Sequence, residues 1–329
     1  MKRIVFAGAA LAGAVLWAEP EKKVGVIGLD TSHSIAFTKL MNVDKDPDCA
    51  GFRVAAAYQW GSKDIASSTN RYAKYVPQMQ EMGVEIVPSI AALLSKVDVV
   101  LLETNDGREH LPQAREVFAS GKLVFIDKPL AHNLRDAIKI CELGKATGAK
   151  WFSSSALRYS DVAVKARAGE YGRIRGAALT SPSPLEEQGT HNFYTWYGIH
   201  GFEPLVAVMG MGVDKVSCFR NDTDDVINAT WKDGRMGELR LMRRGGVYTG
   251  YVLPEKKPKG AKDPIVVFGG YQGYQPLLKE IVKFFRTGVV PVPNEETLEI
   301  MAFMEAAEMS AKRGGAPVTI AEAMAAARE

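Results

Sequence analysis

Lys122-Leu123-Val124-Phe125-Ile126-Asp127-Lys128-Pro129-Leu130-Ala131 is the stretch on which the reading of the chain turns. Leu123 to Ile126 is a short apolar run of strand formers between Gly121 and Asp127. Such a run predicts a strand buried on both faces of a parallel sheet. Asp127-Lys128-Pro129 then falls at the carboxyl end of that strand, where ligands lie in an open α/β sheet. A lysine held there, partly out of water, is suited to proton transfer. Pro129 sets the chain direction, and the Lys128–Pro129 bond is free to be cis. A plain strand followed by a polar turn accounts for the same residues, so the flanking sequence has to decide.

On both sides of this stretch, strands and helices alternate, the grammar of a doubly wound parallel sheet of Rossmann type. Val24–Gly28, Phe52–Tyr58, Glu85–Val87, Val97–Leu102, Leu123–Ile126 and Lys150–Ser153 read as strands. Ser34–Val43, Ser67–Met82, Ser89–Leu94, His110–Ala119 and Arg135–Thr147 read as helices between them. In the fourth helix Leu111, Ala114, Val117 and Phe118 share one face. From about Ala156 the pattern changes to successive strands: Arg173–Thr180, Val213–Arg220, Val226–Trp231, Met236–Met242, Val247–Val252 and Ile265–Phe268. Polar turns such as Lys232-Asp233-Gly234 between them predict a mostly antiparallel sheet, with amphipathic helices at Tyr274–Thr287 and Glu295–Arg313. The expected organisation is therefore residues 1–18 as a leader, 19–155 as a Rossmann-type domain and 156–329 as an α+β domain.

The leader is read from Lys2 and Arg3, an unbroken apolar stretch from Ile4 to Trp17, and Ala18 before Glu19-Pro20. That is the form of a cleavable Sec-type signal peptide, so the expectation is an exported, periplasmic protein. Fourteen apolar residues fall short of the roughly 20 that span a bilayer, so no stable membrane anchor is expected. The formal charge of +3 drops to +1 without Lys2 and Arg3, and no basic block alternates with aromatics, which argues against nucleic acid as a partner. Cys49, Cys141 and Cys218 are far apart, odd in number and without metal-ligand spacing, so they are expected to be buried thiols, and no metal site is read.

The first βα turn, Gly28-Leu29-Asp30-Thr31-Ser32-His33, keeps only the first glycine of a Gly-x-Gly-x-x-Gly phosphate turn. Asp30 would repel a pyrophosphate unless it turns away, while Thr31 and Ser32 offer donors or, alternatively, cap the helix. After the second strand no acidic residue waits for a ribose 2′-hydroxyl; Ser62 and Lys63 can instead meet a 2′-phosphate or form a solvated turn. Pro182 to His191, rich in Pro, Glu and Gly, is long enough to be a lid or substrate loop.

Asp127-Lys128-Pro129 resembles the Glu-Lys-Pro signature of the glucose–fructose oxidoreductase / inositol dehydrogenase family (Gfo/Idh/MocA), with Asp for Glu. Glu103-Thr104-Asn105 with His110 is similar to that family's Thr-Pro-Asn…His loop beside the nicotinamide and ribose; His110 alternatively caps the next helix. Ser153 to Tyr159 resembles its Asn-Arg-Arg-Phe segment, with Arg158 as the retained cation. Trp196-Tyr197-Gly198-Ile199-His200-Gly201-Phe202-Glu203 looks like its Asp-x-Gly-x-His-x-x-Asp helix, whose Asp and His act on substrate. Here Trp196 and Glu203 stand at the two Asp positions, and Glu203, one turn from His200, is placed to orient its imidazole. Pro204 then requires the helix to begin only a residue or two earlier.

The resemblance implies NAD or NADP bound by Gly28, Asp30, Thr31, Ser32, His33, Ser62, Lys63, Thr104, Asn105, His110, Asp127 and Lys128. It implies catalysis by Lys128, His200 and Glu203, and a small-molecule substrate held by Arg158, Tyr197 and His200. It further implies hydride transfer with a sugar, polyol or related hydroxy compound, and a dimer or higher homo-oligomer formed through the open face of the second sheet. Two alternatives stay open: a redox-neutral, NAD-retaining glycosidase-like enzyme, and a carbohydrate-binding protein on a decayed dehydrogenase scaffold. Lys128 and His200 are expected to face one pocket.

Overall fold

The computed structural model describes residues 20–185, 194–260, 262–269 and 271–329. The leader 1–18 and most of the Pro182–His191 loop lie outside the described residues. The first sheet is built from β1 (Lys22–Ile27), β2 (Phe52–Tyr58), β3 (Glu85–Val87), β4 (Val99–Leu102), β5 (Leu123–Ile126) and β6 (Trp151–Ser153). Its order is β3-β2-β1-β4-β5-β6 and every pairing is parallel. Val99 to Leu102 are all buried, as a strand covered by helices on both faces requires. The strand order reverses between β1 and β4, which opens a crevice beyond their carboxyl ends.

The connecting helices are α1 (Ser32–Thr38), α2 (Ala66–Glu81), α3 (Ile90–Leu94), α4 (His110–Ala119) and α5 (Leu134–Thr147). α1 runs on through a wider π turn, Lys39–Val43. Thr31 precedes α1 but its side chain makes no capping hydrogen bond, so its hydroxyl is not consumed by the helix. Gly28 is required by packing: its φ is +90°, and a Cβ there would lie 2.5 Å from the Thr104 backbone, where β1 and β4 end side by side.

After α6 (Asp161–Arg167), the second sheet takes β7 (Ile174–Pro182), β8 (Val213–Arg220), β9 (Asp224–Trp231), β10 (Met236–Met242), β11 (Thr249–Pro254), β12 (Val266–Phe268) and β13 (Val318–Thr319). The order is β12-β11-β7-β10-β9-β8-β13, antiparallel except for β7 against β10. α7 (Ile199–Met209) and α9 (Asn294–Lys312) share a core with the inward side chains of this sheet, and α10 (Ile320–Ala326) closes the chain.

Two features depart from expectation. α7 begins at Ile199, after a π turn at Tyr194–Gly198, so Pro204 lies inside the helix rather than in its first turn. Its missing N–H removes one intrahelical bond, and burial of every residue from Gly201 to Met209 holds the helix despite that loss. The second is α8 (Gln275–Thr287), which crosses back to the first sheet. Leu277, Ile281, Phe284 and Phe285 share a core with Val24, Phe125 and Phe152, and the Phe152 and Phe284 rings lie edge to face at 5.3 Å.

Candidate active site

A cavity of about 300 Å³ lies in the crevice at the carboxyl ends of the central strands, with α7 across it. Lys128, after β5, and His200, in the first turn of α7, both line it. The Lys128–Pro129 bond is cis. Lys128 Nζ sits 5.9 Å from the centre of the Tyr197 ring, which in turn meets the His200 ring edge to face at 5.0 Å. His200 Nδ1 lies 2.8 Å from the Ser155 hydroxyl. Burial, and then the charge of Lys128, hold His200 well below the ordinary histidine range, so it is neutral at neutral pH.

Glu203 does not orient His200 directly. Its carboxylate accepts from the Ser154 hydroxyl at 2.6 Å, the Ser155 N–H at 2.8 Å and Arg158 Nε at 2.7 Å. The carboxylate therefore fixes Ser155, and Ser155 meets the imidazole. Arg158 is equally displaced from its expected role. At 1% exposure, with Glu203 and Glu296 as ion-pair partners at 2.7 Å, it ties β6 to α7 and α9 instead of reaching a substrate. Taking either partner away from such a buried pair leaves an uncompensated charge. Among the expected substrate residues, Tyr197 and His200 line the cavity and Arg158 does not.

Thr31, Ser32 and His33 bring the first βα turn to the same cavity. Asp30 turns away: its carboxylate accepts from the Ser68 hydroxyl at 2.5 Å and the Asn105 N–H at 3.0 Å. Burial pushes its pKa up to about 6. It supports the turn rather than touching a cofactor. Gly28 likewise serves strand packing.

The loop after β2 is also used differently from expectation. Ser62 donates within a cluster of Asp64, Asp106 and Arg108, and Arg108 bonds both carboxylates at 2.6 to 2.9 Å through its terminal nitrogens. This clasp joins the loop after β2 to the loop after β4. Lys63 points to solvent and lines no part of the cavity. Thr104 donates to Gln113, and His110 is enclosed between the carbonyls of Thr104 and Leu130. Both hold the β4 loop against the β5 loop; of that motif only Asn105 reaches the cavity.

Asp127 lines the cavity beside Lys128 and meets His33 Nδ1 at 3.0 Å; Glu103 stands 3.4 Å from the same nitrogen. Burial opposes a charge on His33, but the two carboxylates outweigh it and push its pKa up to about 10. Burial also pushes Glu103 up to about 7, while His33 and Lys128 overcome burial to hold Asp127 at about 2.

Several lining residues were not singled out in the sequence. Ser67 and Arg71 come from the first turns of α2, and Tyr248, Tyr271 and Tyr274 from loops of the second half. The Tyr271-Gln-Gly-Tyr274 spacing, aromatic residues in a glycine-containing loop, was the available signal. Arg71 carried none, because a cation on an amphipathic helix reads as a solvated face.

Besides His33 Nδ1, buried polar atoms on residues that line the cavity without a hydrogen-bond partner among the described residues are Thr31 Oγ1, Ser67 Oγ and Asn105 Nδ2. With Arg71 and Ser32 they form a donor set that matches the phosphates and ribose of a dinucleotide. The fold is a parallel six-stranded Rossmann sheet joined to a second, mixed sheet, with the cavity at the carboxyl ends of the first. Residues 22–154 match the model of an oxidoreductase family with an NAD-binding Rossmann fold, GFO_IDH_MocA. The match covers the first domain only, and there the chain is similar to the Gfo/Idh/MocA oxidoreductases, a family with an NAD-binding Rossmann fold.

Solved structures are similar over nearly the whole length. Apo scyllo-inositol dehydrogenase from Lactobacillus casei matches with 16% identity and a TM-score of 0.70, covering 93% of this chain and 100% of its own. An oxidoreductase from Thermotoga maritima matches with 16% identity and a TM-score of 0.69, over 92% and 99%. An NAD-binding protein from Listeria innocua matches with 16% identity and a TM-score of 0.66, over 92% and 98%. Comparison with curated proteins finds no match.

Proposed function

We propose that the protein is an exported dehydrogenase that oxidises or reduces a sugar, a polyol or a related hydroxy compound. The observation that carries this reading is the meeting of Lys128 and His200 on the cavity that also takes in the first βα turn. Thr31, Ser32, Ser67 and Arg71 would hold the phosphates of the cofactor and Asn105 its nicotinamide ribose. When bound, the nicotinamide supplies or accepts the hydride. The chain's part is the proton. Lys128 Nζ is placed to hold the reacting hydroxyl, and neutral His200, steadied by Ser155, is able to take its proton. Trp196, Tyr197, Tyr248, Tyr271 and Tyr274 supply aromatic faces beside these polar groups, which suits a ring with one apolar and one hydroxylated side. The inositol dehydrogenase among the similar structures supports a polyol of this kind.

Export through residues 1–18 and association through the second sheet belong to the same proposal. Assay of the purified protein with NAD and NADP against a panel of aldoses, inositols and polyols, followed at the reduced nicotinamide absorbance, tests the reaction. Turnover with at least one of them is expected. No hydride transfer in either direction, with cofactor bound, would overturn the redox reading.

A further inference from the structure

His33, Glu103 and Asp127 converge from three places, the first turn of α1 and the ends of β4 and β5. They are 5%, 0% and 1% exposed. One ligand atom from each lies within 4.8 Å of the other two. Neither oxygen of Glu103 receives a hydrogen bond from any described residue, and neither touches solvent. An imidazolium at His33 explains part of this, but its single Nδ1 proton faces two carboxylates, and at 3.4 Å from Glu103 it does not satisfy that group.

The spacing suits another occupant. Ligand atoms held about 2.1 Å from a common ion stand about 3.0 Å apart at right angles and about 3.4 Å apart in a tetrahedron. His33 Nδ1 is 3.0 Å from Asp127 Oδ1 and 3.4 Å from Glu103 Oε2. A divalent ion would take the place of the His33 proton as counter-charge to the two buried carboxylates, beside Lys128. The ring is already fixed, stacked on Phe37 at 5.1 Å and set against Tyr274 at 4.4 Å.

We propose that His33, Glu103 and Asp127 bind one divalent first-row transition ion, of the zinc or manganese kind, on the cavity wall beside Lys128. A nitrogen ligand favours such ions over magnesium and calcium. Three protein ligands leave positions open on the cavity side, as catalytic rather than structural sites do, for water or a substrate oxygen. The spacing of residues in sequence gives no sign of the site, because its ligands come from three separate loops. The proposal uses the cavity of the oxidoreductase reading but is tested without cofactor or turnover, so either can fail alone.

The test is a titration of the full chain, stripped with EDTA, with Co²⁺. Visible ligand-field bands that saturate at one ion per chain and are displaced by Zn²⁺ are expected. His33→Gln and Glu103→Gln should each weaken Co²⁺ binding by about 10- to 100-fold. Absence of a saturable band overturns the proposal, as does a band unchanged in both variants. If both variants fail to fold, the cobalt-loaded wild type decides: one paramagnetically shifted imidazole N–H resonance is expected, and none would overturn the assignment.

Discussion

In the proposed reaction Lys128 holds the substrate hydroxyl and His200 takes its proton. His200, buried and facing the Lys128 charge, stays neutral well below its ordinary range. The acid limb of kcat/KM, where protonation removes this base, should therefore lie well below pH 6.5. Lys128→Met and His200→Asn are each expected to lower kcat by about 10² to 10⁴ with cofactor affinity little changed, as steady-state kinetics and cofactor titration will show. Asp30 has a different effect, on stability. Its pKa is raised from 3.8 to about 6, so its contribution is fully present below pH 3.8 and is lost as pH rises through about 6. The loss amounts to about 3 kcal/mol. In urea melts at pH 5 and pH 8, Asp30→Asn should remove most of that slope; an unchanged slope would assign it elsewhere.

At the scale of elements, the buried Arg158, Glu203 and Glu296 cluster is a joint between β6, α7 and α9. Among the described residues, Arg158→Met leaves Glu203 only its Ser154 and Ser155 hydrogen bonds and Glu296 only its Arg167 pair, and should cost about 3 to 5 kcal/mol in chemical denaturation while leaving KM for the substrate nearly unchanged. A large KM effect without destabilisation would restore the substrate role expected from sequence. The clasp of Asp64, Asp106 and Arg108 carries two carboxylates against one guanidinium near the end of β2. A 2′-phosphate placed there would be repelled, so NAD should bind more tightly than NADP; the reverse order would show that Lys63 or Arg108 swings onto the phosphate. Periodicity and strand-forming runs made the six strands of the first sheet legible to within two residues, because buried parallel strands leave a continuous apolar signature. That Lys128 and His200 line one cavity was legible from their motifs. The partners of Glu203, Arg158 and His110 were not, since spacing along a helix says which side chains can meet and not which tertiary partner wins. The return of α8 to the first sheet was hidden for the same reason.

At the scale of the molecule, the second sheet keeps one face for α7 and α9, and among the described residues the other is left open. Asn228, Glu238, Ala178, Tyr251 and Val267 are aligned across five of its strands, and Val267 is 66% exposed. Met236 on the same strand as Glu238 is 67% exposed. A mixed apolar and charged face of this kind is suited to self-association, and sedimentation at micromolar concentration should give a dimer or a larger closed assembly. A stable monomer would leave the face unexplained. Export is checked by mass spectrometry of protein from the cell envelope, whose chain should begin at or near Glu19; full-length protein confined to the cytosol would end that part of the account.

The central claim is that one cavity holds a nicotinamide cofactor beside Lys128 and His200. Trp196 lines that cavity, so titration of the purified chain with NADH, followed by energy transfer from tryptophan, reports on it directly. Saturable one-to-one binding with a Kd below about 1 mM, weakened about tenfold or more by Arg71→Ala, is the predicted result. No saturable binding of NADH or NADPH up to that concentration would contradict it.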